Sequence, residues 1–188
     1  NLVYLNGQNS NKSLVRFNYR DREDLFDLVS YNKGGAVLHM LRNYLGDNAF
    51  FKGLNIYLTE FKYKSAEVHD LRLVFEKLTG KDLNWFFNQW FYNTSHPQIE
   101  ISYDYNIIQK KVTVNVIQLQ SEKFKFPFTI DIYEKGNKRR ETVFVDGNDA
   151  SFTYSYLRLP DYIQVNADGV LLCEIQENKV LSDYIFQL

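Results

Sequence analysis

Asn93-Thr94-Ser95-His96-Pro97 is the stretch where the chain changes its period, and that change decides the fold. Upstream, Leu83, Phe86, Phe87, Trp90 and Phe91 recur at three- and four-residue spacing, the pattern of a buried helix face. Downstream, Ile99, Ile101 and Tyr103 alternate with polar residues, the pattern of a half-buried strand. Pro97 enforces the break, because its ring clashes with a preceding helical turn and it has no amide hydrogen to donate.

Three more helices are predicted on the upstream side. Val68, Leu71, Phe75 and Leu78 form a stripe that Ser65 can cap and Gly80 can end. Phe50, Leu54, Tyr57, Leu58 and Phe61 form another, opened by Asp47, while Asp82 is placed to open the last helix. The first runs from Ser30 through Val37, Met40, Leu41, Tyr44 and Leu45, and Gly46 stops it. Linkers this short make neighbouring helices pack on each other. Residues 1–29 read as a loop-rich lead-in, polar from Asn6 to Ser13 and charged from Asp21 to Asp27, with Leu25 and Phe26 as anchors. The chain opens inside an apolar stretch, Leu2, Val3 and Leu5, which reads as cut from something longer.

On the downstream side, alternation continues through Val112, Val114 and Val116, and through Phe126, Phe128, Ile130 and Ile132. Shorter candidates lie at 143–145, 152–156, 162–165 and 170–175, separated by turns such as Glu134-Lys135-Gly136-Asn137 and Asp146-Gly147-Asn148-Asp149. About seven short strands in this space predict an antiparallel β-sandwich. The fold class is therefore α+β: a helical domain over residues 1–97 and a β-sandwich over 98–188.

Composition narrows the function. Apolar residues make up 45% of the 188, enough for real cores, and the net charge of −1 offers no footprint for nucleic acid. The basic run Lys138-Arg139-Arg140 follows Gly136-Asn137 and reads as a hairpin tip with solvated turn charges; Lys110-Lys111 is a second, shorter basic cluster. No apolar run approaches the roughly 20 residues of a membrane span, so no membrane partner is expected. A soluble protein, exported or cytoplasmic, is expected; two sequons and a single cysteine do not choose the compartment. Cys173 reads as a buried small hydrophobe. No two of the three histidines, His39, His69 and His96, sit four apart on a helix, and one Cys excludes a thiolate cage, so no zinc is expected in this chain. His39 reads as a packed or hydrogen-bonded core residue, His69 as exposed, and His96 as a loop residue suited to a specific polar contact. Gly34-Gly35 lacks the surroundings of a phosphate loop. Tyr103 with Tyr105, and Phe152 with Tyr154 and Tyr156, could make a sugar-stacking platform, although cross-strand packing explains such rows as well.

One segment is more specific. Ser30-Tyr31-Asn32-Lys33-Gly34-Gly35-Ala36-Val37-Leu38-His39-Met40-Leu41-Arg42 resembles the Tyr-x-Lys-Gly-x-x-x-Leu-x-Met-Leu segment of the aminopeptidase N-type zinc peptidases, gluzincins related to leukotriene hydrolase. Leu45-Gly46-Asp47-Asn48-Ala49-Phe50-Phe51-Lys52-Gly53-Leu54, then Tyr57-Leu58 and Tyr63, continue the likeness. Gly80-Lys81-Asp82-Leu83, Phe86-Phe87, Gln89-Trp90 and His96-Pro97 are similar to the end of that family's catalytic domain, and Asp24-Leu25-Phe26-Asp27 to the acidic lead-in to its tyrosine. The likeness covers roughly residues 20 to 100; the β block matches by position only. It departs at Asn32, where the family usually has Glu or Gln.

The resemblance implies the C-terminal half of a thermolysin-like catalytic domain followed by a β domain. It implies a parent enzyme that removes N-terminal residues from peptides, with zinc held by two His and one Glu that this sequence does not contain. The residue matching the family's transition-state tyrosine is Tyr31, whose phenol, with a reference pKa of about 10, would donate to the oxyanion at neutral pH. Gly34 would spare a crowded wall from a Cβ. The partners implied are a peptide substrate and the missing N-terminal half of the catalytic domain, without which the chain is inactive. Two rivals are a β-sandwich module that binds glycan or peptide through its aromatics, and a catalytically dead relative that acts through protein interaction.

Overall fold

The computed structural model describes residues 12–178. The apolar start (Leu2, Val3, Leu5) and residues 6–11 of the expected lead-in loop lie outside the described residues. The chain divides between Ser95 and His96 into two compact units.

The first unit is helical. A short 3-10 turn, Arg22–Leu25, precedes a π-helical turn, Val29–Lys33. Helix α1 (Gly34–Leu45) continues from that turn, and α2 (Asp47–Glu60), α3 (Val68–Thr79) and α4 (Asn84–Phe87) follow. A second π-helical segment, Asn88–Tyr92, extends α4. The apolar stripes read from the sequence meet in the core: Val37, Met40 and Leu41 of α1, Phe50 of α2, Val74 and Phe75 of α3, and Phe86, Phe87, Trp90 and Phe91 are all buried. Phe87 stacks on Phe91 at 4.6 Å and Phe50 on Phe75 at 5.7 Å between ring centroids. Gly46 and Gly80 end α1 and α3 with φ of +84° and +69°, a backbone that a Cβ resists.

Three expected starts are corrected. The first helical turn opens at Val29, where the Asp27 carboxylate accepts from the amides of Val29 and Ser30 at 3.1 and 2.9 Å and leaves Ser30 inside the turn. Ser65 does not cap α3; Glu67 holds the cap position, with a reciprocal box to Asp70. Asp47 is the first residue of α2, not its cap, and its carboxylate is taken by Arg42 at 2.7 Å. Leu83 holds the cap position of the last helix, and Asp82, one residue before it, accepts from the Asn84 amide at 2.9 Å.

Among the described residues the second unit holds seven strands in two sheets: β1 (Gln98–Asn106), β2 (Lys111–Gln118), β3 (Lys125–Glu134), β4 (Asn137–Asp146), β5 (Asp149–Ser155), β6 (Tyr162–Val165) and β7 (Glu174–Glu177). One sheet has the order β5-β2-β1-β7 and the other β4-β3-β6. Ile99, Ile101, Val112, Val114 and Val116 from the first sheet, and Phe126, Phe128, Ile130 and Ile132 from the second, are buried at alternate positions, which is how two inner faces form a core. The architecture is α+β, as the sequence predicts. One pair departs from the antiparallel expectation: β7 runs parallel to β1, with Ile99 opposite Ile175. A parallel neighbour needs a crossover, and β7 is reached from β6, which lies in the other sheet. The expected strand at 170–175 starts later for a related reason. Asn166 binds the amide and the carbonyl of Leu171 at 3.0 and 3.1 Å, so residues 166–171 close into a loop that buries Leu171 and Leu172.

Candidate functional site

Tyr31 sits in the π-helical turn Val29–Lys33. A π turn widens the helix by one residue and shifts the directions in which its side chains leave; such turns recur at functional sites. The shift is visible in three neighbouring residues. Tyr31 is 62% exposed, whereas Val29 and Lys33 are completely buried. The turn thus drives two side chains inward and sends the phenol outward. The ring of Phe26, itself exposed, lies 6.2 Å from that of Tyr31 in a tilted arrangement.

Two anchors hold the turn. The first is ionic and lies at its start. Arg16 donates to both oxygens of Asp27, at 2.6 and 3.2 Å, and to the Ser30 hydroxyl at 2.7 Å. Asp27 in turn caps the amides of Val29 and Ser30. Burial works to raise the Asp27 carboxyl, but the hydrogen bonds from Arg16 and from the Ser30 backbone, with the nearby positive charges, outweigh it and bring the pKa down to about 2. The carboxylate is therefore charged through the whole neutral range. The second anchor is Lys33, whose ammonium donates to the Asn93 carbonyl at 3.2 Å, sixty residues away in sequence. Burial alone pushes its pKa down from 10.5 to about 8.

Gly34 does not have the steric duty expected of it. A Cβ there would meet the Leu14 side chain at 3.5 Å, an ordinary contact. The crowded glycine is Gly53 on α2, where a Cβ would fall 2.4 Å from the Phe75 ring of α3. The motif contained Gly53, but nothing in the periodicity marked it as a contact point.

The three histidines have separate surroundings. His39 is exposed, not packed in the core, and lies 3.2 Å from the Asn43 side chain. His69 is exposed beside Arg72 at 3.1 Å. His96 is buried in the second unit, with Nε2 at 2.8 Å from Glu174. No group of three His, Cys, Asp or Glu able to hold a metal exists among the described residues. The described residues therefore do not fit a zinc site. Cys173 is pushed up to about 12, by burial first and then by the Glu174 charge, which makes it a poor thiolate.

The aromatic rows of the β unit are only partly open: Tyr156 is buried, Phe152 and Tyr154 are half-buried, and Tyr105 is exposed. Tyr103, Val114 and Phe152 are cross-strand partners, as are Tyr105, Val112 and Tyr154. Both rows therefore share a face with the buried valines. The Tyr103 hydroxyl is engaged by Glu177, and the Arg139 guanidinium lies over the Tyr154 ring.

Comparison with known proteins bears on the same segment. Residues 6–90 match the model of the peptidase family M1 domain. A probable aminopeptidase 2 of Sulfurisphaera tokodaii is 31% identical over 150 residues, a match covering 78% of this chain and 17% of that protein. A match of that length takes in part of the β unit as well, which position alone had linked to the family. The mitochondrial aminopeptidase 2 of Saccharomyces cerevisiae is 38% identical over 82 residues, covering 44% of this chain and 9% of its own length. Among solved structures, an aminopeptidase A of Legionella pneumophila, in complex with aspartic acid, superposes with a TM-score of 0.82 at 15% identity. It covers 95% of this chain and 21% of that one, and so shares the fold. The chain spans about a fifth or less of the length of these relatives.

Proposed function

We propose that this chain, whose residues 6–90 belong to the M1 peptidases of aminopeptidase N type, contributes the transition-state tyrosine and part of the cavity wall to an enzyme that removes N-terminal residues from peptides. Tyr31 is that tyrosine. When an attacking oxygen adds to the scissile carbonyl, negative charge builds on the carbonyl oxygen. A phenol O–H directed at that oxygen stabilises the charge with a hydrogen bond stronger in the transition state than in the ground state, so it lowers the barrier. The observation that carries the reading is the placement of the motif tyrosine. Tyr31 leaves a turn braced by Asp27 and Lys33 and faces outward, so a donor is held out with little of its backbone left to order.

The metal chemistry of such an enzyme is zinc chemistry, which activates water and polarises the carbonyl. Its ligands would be supplied by other parts of the enzyme, because no group of three His, Cys, Asp or Glu able to hold a metal exists among the described residues. The helical unit is accordingly read as the C-terminal part of the catalytic domain, and the chain by itself as inactive. An aminoacyl chromogenic assay tests this. The intact peptidase should hydrolyse the substrate and lose activity to a chelator, while the 188-residue chain at equal concentration should show no turnover. An intact protein without hydrolysis, under zinc loading, would point to a non-catalytic relative.

A further inference from the structure

We infer that Lys33 is a positioning residue for Tyr31: its buried ammonium, tied to the Asn93 carbonyl, fixes the turn from which the phenol projects. The inference deepens the proposed role of Tyr31 and rests on it. Lysine is among the residues least often buried, and the side chain of Lys33 is completely so. An ammonium has three donors to satisfy; among the described residues Lys33 has one hydrogen-bond acceptor, the Asn93 carbonyl at 3.2 Å. Such a group costs stability rather than adding it, so packing does not account for it. What the contact does achieve is geometric. Lys33 and Tyr31 share one π-helical turn, and a tether on the inner residue sets the direction of the outer one. The start of the turn is already fixed by Asp27 and Arg16. Lys33 fixes its end, against the segment that closes the helical unit. With both ends held, the phenol keeps one exit direction, which is what a donor aimed at a transient oxyanion requires.

The substitution Lys33→Met removes the ammonium but keeps an unbranched apolar body of similar length, so the core stays filled. In the 188-residue chain, amide hydrogen exchange should then quicken at least tenfold at Tyr31 and Gly34, whose amides donate within the turn to Asp27 and to Tyr31 and Val29. Exchange in α3 should stay within about twofold. Unchanged exchange at the turn, equal acceleration in α3, or loss of folding would each overturn the inference. In the intact peptidase, Lys33→Met should lower kcat at least tenfold with KM nearly unchanged. Added to Tyr31→Phe it should cost no further rate, because it acts through the hydroxyl already removed. Normal turnover by Lys33→Met beside a slow Tyr31→Phe would overturn the positioning role alone. Normal turnover by Tyr31→Phe itself would overturn the catalytic reading, with the exchange measurement still deciding whether the tether exists.

Discussion

Among the described residues each unit buries one lysine or carboxylate almost completely, Lys33 in the helical unit and Asp131 in the β unit, and the two are treated in opposite ways. Asp131 is fully paired. Arg140 donates to both of its oxygens at 2.6 and 2.7 Å, and Lys138 lies at 3.6 Å. The Arg140 hydrogen bonds outweigh burial and hold the carboxyl below the usual range. Among the described residues Lys33 has a backbone carbonyl and no ion-pair partner, and burial lowers its pKa. A charge whose partners are complete belongs to the architecture. A charge left at a cost, two residues from the motif tyrosine, points to selection for something other than stability. The contrast marks the turn at 29–33 as a place where stability is given up.

Breaking the complete pair should have the largest effect on folding. Arg140→Met leaves Asp131 buried with only a distant lysine, and losing one partner of a buried pair costs about 4 kcal/mol. Denaturant unfolding monitored on the β unit should show a loss of this order; a change within experimental error would mean that Lys138 suffices and the pairing is not what holds Asp131. The incomplete site should respond to pH instead. Folded Lys33 releases its proton near pH 8 and the unfolded side chain near the ordinary 10.5. Between these values the unfolded chain binds the extra proton, so stability rises with pH through that window and levels off above it. The rise should be about 3 kcal/mol and should be missing from Lys33→Met. Parallel pH profiles for the two proteins would show that Lys33 is not buried as a charge. A smaller effect is expected from packing. Gly53→Ala puts a Cβ against the Phe75 ring and should destabilise the helical unit by about 2 kcal/mol, read as a lowered Tm; an unchanged Tm would show that α2 and α3 can separate freely.

The parts of this molecule that were legible in the sequence are those governed by local period. Val37, Met40 and Leu41, or Val112, Val114 and Val116, fix their own buried faces whatever they pack against, and Gly46 and Gly80 announce their helix ends through a backbone only glycine adopts readily. What was not legible depends on distant partners. Ser65 looked like a cap, but Glu67 and Asp70 complete a reciprocal box two residues on. Strand β7 looked antiparallel because its direction is set by a crossover between sheets. His39 looked like core, because its neighbours in the stripe are buried, yet it lies on the exposed edge of α1. At the candidate site the motif singled out Tyr31, but it gave Lys33 no role of its own. Its burial depends on the Asn93 carbonyl, and no pattern over a few turns can reveal a contact sixty residues away.

The claim that Tyr31 is the transition-state donor is tested most directly by steady-state kinetics of Tyr31→Phe in the intact peptidase on an aminoacyl chromogenic substrate. The replacement removes one exposed hydroxyl and leaves the turn, its Asp27 cap and its Lys33 tether untouched. Loss of a single oxyanion donor lowers turnover by about a hundred- to a thousandfold, roughly 3 kcal/mol. kcat and kcat/KM should therefore fall together by that factor, with KM and bound zinc nearly unchanged. A Phe variant whose kcat stays within a few-fold of the native enzyme would contradict it, and would make Tyr31 an exposed residue at a helix start with no part in the chemistry.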